Sequence, residues 1–279
     1  MFRKLISDRR AIIGLLIIIL IVIGVLTAPW WAKHNPYQGD LQNIAQPPST
    51  KHLLGTDELG RDVLTRIFYG GRISLSLGVV AVSIGWVAGV PLGMIAGYFG
   101  KGLDLAITGF IDVLLAFPPI LLAIAVVSIL GPGLYNAMLA IGTALVPFYA
   151  RLARGSVLAI KERDFVEAAR AAGGSAFYIL WRHILPNCIS PLIVQSTFNM
   201  ASAILSAASL GFLGLGAQPP LPEWGTMISR GRIYLRVAPH ITTFPGLAIF
   251  LVVLAFNLLG DSLRDVLDPY MRKRQKIVI

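Results

Sequence analysis

The sequence predicts an all-α integral membrane protein with six transmembrane helices, on three observations. Of its 279 residues 56% are hydrophobic and only 14% charged, against about 25% charged in a soluble domain. Several uncharged runs reach or exceed the ~20 helical residues that cross a hydrocarbon layer about 30 Å thick. Lys and Arg gather in alternate connections between those runs, the asymmetry that sets orientation in a bilayer. The formal charge of +10 does not make a nucleic-acid surface, which needs its basic residues on a solvated face between short apolar runs. The single cysteine, Cys188, excludes an intrachain disulfide framework and a zinc site of several thiolates. The four histidines, His34, His52, His183 and His240, show no metal-ligand spacing along the chain. No metal and no cofactor is therefore expected on this chain.

The first helix covers residues 11–28, preceded by Arg3, Lys4, Arg9 and Arg10 and followed by Pro29-Trp30-Trp31. A charged start and an apolar middle resemble a signal peptide, but the small-residue cleavage site is missing and the tryptophans suit an interfacial anchor. Between residues 56 and 69, Leu59, Val63, Ile67 and Phe68 fall on one helical face and Arg61, Asp62 and Arg66 on another. This predicts an amphipathic helix in the outer headgroup region, either a surface anchor or a contact for an extracytoplasmic protein. Residues 73–100 carry no charge and make the second spanning helix. Residues 113–150 are also uncharged, roughly 57 Å as helix and almost twice the bilayer's need. Gly131-Pro132-Gly133 supplies the turn, giving a third helix near 105–130 and a fourth near 134–152. A fifth runs from 184 to about 213, ended by Gly211, Gly214, Gly216 and Pro219-Pro220, and a sixth from 243 to 260.

With the N-terminus inside, the inner segments hold sixteen Lys and Arg and the outer connections eight. The bias places both termini in the cytoplasm and makes much of the net charge a topology signal with affinity for anionic lipid. Three parts follow: residues 1–72 with the first helix, the outer loop and the amphipathic segment; a core of residues 73–262; and a cytoplasmic tail, 263–279.

The longest inner connection, residues 151–187, is the informative one. Residues 161–172 are good helix formers, Gly173-Gly174 interrupts, Ser175 can cap a second start and Pro186 halts it, so two short helices joined by a tight turn are predicted. Phe165, Ala169 and Ala172 share one face of the first, and Ala168 is small as well, so another protein could approach closely.

The set Glu167-Ala168-Ala169, Gly173 and Ile184-Leu185-Pro186-Asn187 resembles the EAA motif of ATP-binding-cassette importer permeases. Residues 54–62 (LGTDELGRD), 209–216 (SLGFLGLG) and 255–261 (AFNLLGD) resemble the C-type permease subunit of dipeptide, oligopeptide and nickel importers, and the likeness extends from the first helix to Asp268-Pro269. The resemblance implies a type I ABC importer permease core over residues 73–262, with the coupling loop at 154–187. It implies peptide import across the bacterial inner membrane, with nickel, a nickel chelate or glutathione as alternative cargo. It further implies a homologous permease as heterodimer partner, two ATP-binding subunits that hold ATP and Mg, and an extracytoplasmic solute-binding protein. Ala168 and Ala169 would be the small contact face, Glu167 the partner of a basic group on the ATPase, Gly173 the turn, and Leu185 and Pro186 the end of the coupling motif. A proton-coupled secondary transporter is the rival class, and it would favour inverted halves with broken helices, which the sequence lacks. No catalytic motif is present: Gly97 to Gly102 lacks the phosphate-loop spacing, and Gly155-Ser156 lacks a hydrolase context.

Three further patterns stand out. Gly85, Gly89, Gly93 and Gly97 recur every fourth residue and permit close helix packing, static or sliding. Gln195, Asn199, Ser202, Ser206 and Ser209 form one polar stripe on the fifth helix, which in lipid faces a pathway, a subunit interface or another helix. Asp112 is an acid within a predicted span, in a stretch ending Phe117-Pro118-Pro119. With no basic residue near it in sequence it suits a structural hydrogen bond at a kinked helix, or less readily a proton-coupled role.

Overall fold

The computed structural model describes residues 8–267, so the Arg3 and Lys4 of the N-terminal charge cluster, Asp268-Pro269 and the basic residues 272–276 lie outside the described residues. Among the described residues five helices are long and apolar enough to cross a membrane, and a sharply bent pair meets the same length and composition when taken together.

Helix α1 (Arg9–Trp31) begins where the Asp8 carboxylate accepts from Arg10 N–H. Ala11, Gly14, Val25 and Ala28 face inward, while Leu20, Leu26 and Trp30 are 68%, 63% and 85% exposed. Such a helix is lipid-facing on most of its circumference and peripheral to the bundle. Gly14 lets it meet the last helix, since a Cβ there would lie 2.8 Å from the Ala255 carbonyl.

Helix α2 (Val63–Phe99) has 37 residues, about 55 Å at 1.5 Å each, so it projects beyond the hydrocarbon. It starts at Asp62, which accepts from Thr65 N–H at 2.8 Å. The separate amphipathic helix expected over residues 56–69 is therefore corrected. Residues 63–69 are the first turns of α2, and residues 56–62 form a turn closed by a Thr56–Asp62 bridge. The expected solvated face is also absent, because Arg61, Asp62 and Arg66 are 3–4% exposed and so as buried as Val63 and Ile67, while Leu59 is 39% exposed.

Helices α3 (Lys101–Leu115) and α4 (Pro119–Leu130) replace the single third helix of the sequence reading. They bend by 91° across the Phe117-Pro118 break, because neither proline can donate to the helical ladder and each pushes its predecessor out of helical geometry. The Arg154 guanidinium grips Asp104 at 2.6 and 2.7 Å, fastening α3 to α5 (Leu134–Ile160).

After α5 comes α6 (Asp164–Ala171), then α7 (Ala176–Ile179), a π-helical turn (Leu180–Ile184) and α8 (Leu185–Phe212). Pro186 does not halt a second short helix. It occupies the first turn of α8, where its missing N–H is tolerated, and the chain runs on as helix. A short α9 (Trp224–Gly231) is capped by Glu223, and α10 (His240–Leu267) completes the bundle.

Two packed regions result, the end of the bundle that holds residues 161–184 being called inner and the end that holds residues 32–62 outer. The larger joins α2, α4, α5 and α8 through Leu77, Val90, Val127, Tyr149 and Leu192 and reaches inward to Val166 and Ile184. The smaller, outer one joins α2, α8, α9 and α10 through Val63, Ile204, Trp224 and Val252. Trp224 donates from its indole to the Ile67 carbonyl, which lets a large polar-tipped ring sit fully buried.

Candidate functional site: inner connection and membrane cavities

The inner connection is built on a glycine turn. Gly173 has φ +81°, a region open to glycine without penalty. Its N–H bonds the Arg170 carbonyl and that of Gly174 bonds the Ala169 carbonyl, both at 3.0 Å, the paired closure that ends a helix cleanly. Ser175 then caps α7 by accepting from Tyr178 N–H.

The two faces of α6 divide unequally. Val166 is fully buried, and Ala169 packs partly against the main core. Phe165, Glu167, Ala168 and Ala172 are exposed. The expected common face of Phe165, Ala169 and Ala172 is thus corrected: Ala169 lies at the edge turned toward the protein, and Ala168 belongs with Phe165 and Ala172 on the open side. Leu185 is 7% exposed and works as core, whereas Pro186 is on the surface. In the segment that follows the turn, Phe177, Tyr178 and Trp181 are exposed by 75%, 52% and 60%, with Phe177 and Trp181 stacked at 6.3 Å between ring centroids. Sequence reasoning missed them, although their four-residue spacing just after a cap was a usable signal.

The connection is also tied to the bundle. Lys161 donates to the Gly97 carbonyl at 3.2 Å, and the Arg170 guanidinium lies 5.9 Å over the Tyr98 ring. Both tethers end on the inner tip of α2.

That helix carries the glycine repeat, and all four glycines face α5. A Cβ at Gly89 would lie 2.5 Å from the Val146 carbonyl and 2.7 Å from Tyr149 Cβ, and one at Gly85 2.7 Å from Leu145 Cβ. Gly93 abuts Ala150, and Gly97 abuts Arg154 and Val157. The repeat is spent within the chain, so it offers no face to a second permease.

The polar stripe on α8 opens into space. A cavity of about 120 Å³ lies among α4, α5 and α8, and Gln195, Asn199, Ser202 and Ser206 line it. Gln195 donates to Asn199 Oδ1 at 3.0 Å, and the buried Asn199 Nδ2 has no partner. Ser209 departs from the stripe: it lines an outer depression with Phe212 and Ile228, and its hydroxyl donates back to the Leu205 carbonyl. Toward the inner end a wider cavity of about 770 Å³ runs along Asn187, Ser190, Val194 and Gln195, with Arg163 and Arg264 beside it. Gln195 borders both spaces, so the stripe joins the inner cavity to the middle of the bundle.

Asp112 is corrected in its surroundings. It has a basic partner, Arg151, whose Nη2 donates to Oδ1 at 2.7 Å, and both side chains are more than half exposed. This is an ion pair across the surface of α3 and α5, not an isolated acid at a kink.

At the outer end a group that sequence reasoning read as solvated is buried. Asp57 accepts from Arg61 Nε at 2.7 Å and lies 3.1 Å from Arg66 Nε, while Arg61 Nη2 reaches Glu58 at 2.7 Å. Arg66 Nη1 donates to the Pro36 carbonyl. Glu223 accepts from Gly225 N–H, Thr226 N–H, Thr226 Oγ1 and Ser74 Oγ. Burial pushes its carboxyl above the ordinary range, and these bonds pull against that shift. His34 and His52, which show no metal-ligand spacing along the chain, converge with Asp62 in the fold, with ligand-type atoms within 4.8 Å of one another.

Residues 89–273 match the family of binding-protein-dependent transport system inner membrane components, and residues 1–48 match the N-terminal transmembrane domain of oligopeptide transport permease C. The chain is 48% identical over 271 residues to the dipeptide transport system permease protein DppC of Alkalihalophilus pseudofirmus, covering 97% of this chain and 89% of that one. It is 47% identical over 264 residues to the glutathione transport system permease protein GsiD of Pectobacterium atrosepticum, covering 93% and 86%. In structure it resembles the inward-facing MetNI methionine ABC transporter, with a TM-score of 0.58, 20% identity, and coverage of 71% of this chain and 94% of that one.

Proposed function

This chain belongs to the family of binding-protein-dependent transport system inner membrane components, and from that premise we propose that it is one half of the membrane pore of an ATP-driven importer for dipeptides and short oligopeptides. The carrying observation is the inner connection: a short helix closed by Gly173, exposed through Phe165, Ala168 and Ala172, and tethered to the tip of α2 through Lys161 and Arg170. ATP hydrolysis takes place on two partner subunits, and this chain supplies the contact. Glu167 and Ala168 meet the partner together with Phe177 and Trp181, Ala169 joins α6 to the core, and Leu185 and Pro186 fix the return into α8.

Force at α6 reaches the tip of α2 through Arg170, Lys161 at the C-cap of α5 holds the same tip, and the glycine-mediated contact joins α2 to α5. A rigid element touching both the ATPase and the pathway is what nucleotide energy needs in order to move a packed bundle between two arrangements. The cargo path runs along Gln195, Asn199, Ser202 and Ser206, which bear no charge and so suit peptides of varied side chains. A homologous permease completes the pore, an extracytoplasmic binding protein delivers the cargo, and both termini are cytoplasmic. Glutathione is a second cargo reading, favoured by the relative that carries that name.

The test is reconstitution of the chain with its sister permease and ATPases in vesicles, followed by binding-protein-dependent peptide uptake. Gly173→Pro should abolish stimulated ATP hydrolysis and uptake while membrane insertion is retained. Uptake with no ATPase present, or labelling of residues 161–187 from the outer face, would overturn the assignment.

A further inference from the structure

We propose that His34, His52 and Asp62 form a binding site for a divalent first-row transition-metal ion at the outer end of the protein, and that the ion clasps the segment following α1 to the start of α2.

The three side chains come from separate stretches of chain. His34 lies three residues beyond the end of α1, His52 lies in the outer loop, and Asp62 is the N-cap of α2. Their ligand-type atoms lie within 4.8 Å of one another. His52 and Asp62 are 7% and 4% exposed, while His34 is half-buried, so the group is walled by protein with one side toward water. His52 Nδ1 and Asp62 Oδ1 stand 3.0 Å apart. An ion about 2 Å from each would subtend a bond angle near ~95°, an ordinary bite for imidazole and carboxylate on one metal. The ion takes the place of the proton these two atoms share.

The second ring is prepared by its own hydrogen bond. His34 Nε2 lies 3.1 Å from the Lys51 carbonyl oxygen. A carbonyl only accepts, so Nε2 carries the proton and Nδ1 keeps its lone pair. Histidines that ligate metals use this same arrangement, with the second nitrogen donating to a carbonyl that fixes tautomer and ring orientation. Asp62 is fixed likewise, since its other oxygen accepts from Thr65 N–H at 2.8 Å. The imidazole rings lie 4.6 Å apart between centroids and tilted by 32°, so their in-plane lone pairs do not converge as they stand and the His34 ring must turn as well as approach. Ligand atoms on a tetrahedral ion stand about 3.3 Å apart, so His34 must close by up to about 1.5 Å, a movement open to a residue just past the end of a helix. Two imidazoles and one carboxylate, with water in the remaining position, suit Zn²⁺, Ni²⁺ or Cu²⁺ rather than Mg²⁺ or Ca²⁺, which prefer all-oxygen sets.

The test uses the full chain in lipid nanodiscs, with any purification tag removed and metal stripped by chelator. Zn²⁺ is then titrated in competition with a chromophoric chelator. We expect one ion bound for each chain, affinity weakened at least ten-fold in His34→Ala, and no change in His183→Ala. His34→Ala removes a half-buried side chain, and its unchanged size-exclusion profile reports that the fold is intact. X-ray absorption on the zinc form should show imidazole scattering and no sulfur. Zn²⁺ should raise the unfolding temperature of the native chain but not that of His34→Ala. Absence of Zn²⁺ binding at micromolar concentration overturns the proposal and leaves His52 and Asp62 as a simple hydrogen-bonded cap. Binding that His34→Ala leaves intact overturns it as well.

Discussion

The two ends of the bundle solve opposite problems. At the outer end five charged side chains, Asp57, Arg61, Asp62, Arg66 and Glu223, are at most 4% exposed, each with oppositely charged or hydrogen-bonding neighbours. At the inner end apolar rings are left in the open, with Phe177 75% and Trp181 60% exposed. Buried charge is costly unless its partners are in place, so this charged network is complete within the one chain, although the loops around it also expose Leu41, Ile233 and Val237 by 74%, 75% and 85%. A cluster of exposed aromatics beside a helix of small residues is the mark of an unfilled contact. In the function proposed above, the ATPase contact finishes the inner end.

Breaking the outer network should have the largest effect on stability. Asp57 holds Arg61 through Nε and through its backbone N–H, faces Arg66, and accepts from Leu59 N–H. Asp57→Ala takes the carboxylate from two buried guanidinium groups, leaving Arg61 with Glu58 and Arg66 with the Pro36 carbonyl, and should cost about 3–5 kcal/mol. Denaturant unfolding in detergent would measure it. The matching change at the inner end, Phe177→Ala, should leave unfolding unaltered and lower ATPase stimulation. Equal loss of stability in both variants would erase the distinction between the two ends.

Next in size is the glycine contact that links them. Gly89→Leu forces a side chain into the Val146 carbonyl and Tyr149, and overpacking of this kind costs about 1–3 kcal/mol, more where the backbone itself must move. The readouts are the yield of inserted protein and the unfolding midpoint, with Gly102→Leu as the control, since nothing lies within 4 Å of a Cβ at Gly102. A smaller effect is expected at the inner turn. Gly173→Ala must adopt φ +81°, which costs a residue with a Cβ about 1–2 kcal/mol. Nothing else lies close to that position, so the loss should appear as weaker ATPase stimulation with the bundle intact.

The bundle was legible because lipid imposes length: uncharged runs located each span, and the four-residue glycine repeat marked the α2–α5 contact. The Phe117-Pro118-Pro119 run marks an interruption of the third span, but two adjacent prolines in sequence fit a kink as well as the right-angle break that is found. Burial of Arg61 and Arg66 escaped because helical spacing reveals two faces without saying which is inside. Their partners come from elsewhere, the Pro36 carbonyl lying thirty residues before Arg66. The histidine convergence is hidden for the same reason, since only the tertiary fold brings His34 to His52 and Asp62. The stripe on α8 was readable as far as Ser206, whereas Ser209 points into a depression that α9 and α10 create.

The smallest effect belongs to Asp112, where sequence and structure differ most in meaning. An acid inside an uncharged run invites a proton-carrying role, yet its carboxylate meets Arg151 with side chains 53% and 64% exposed. Ion pairs of that exposure are worth about 0–1 kcal/mol and weaken with salt. Asp112→Asn should therefore shift the unfolding midpoint little and leave uptake in reconstituted vesicles within two-fold of the native rate. It should also leave that uptake equally insensitive to a proton ionophore. Bundle stability would then rest on the buried outer charges and not on this exposed pair. Uptake that collapsed in Asp112→Asn while stability held would make the pair part of the transport cycle and move the inner end's functional boundary from α6 up to α3.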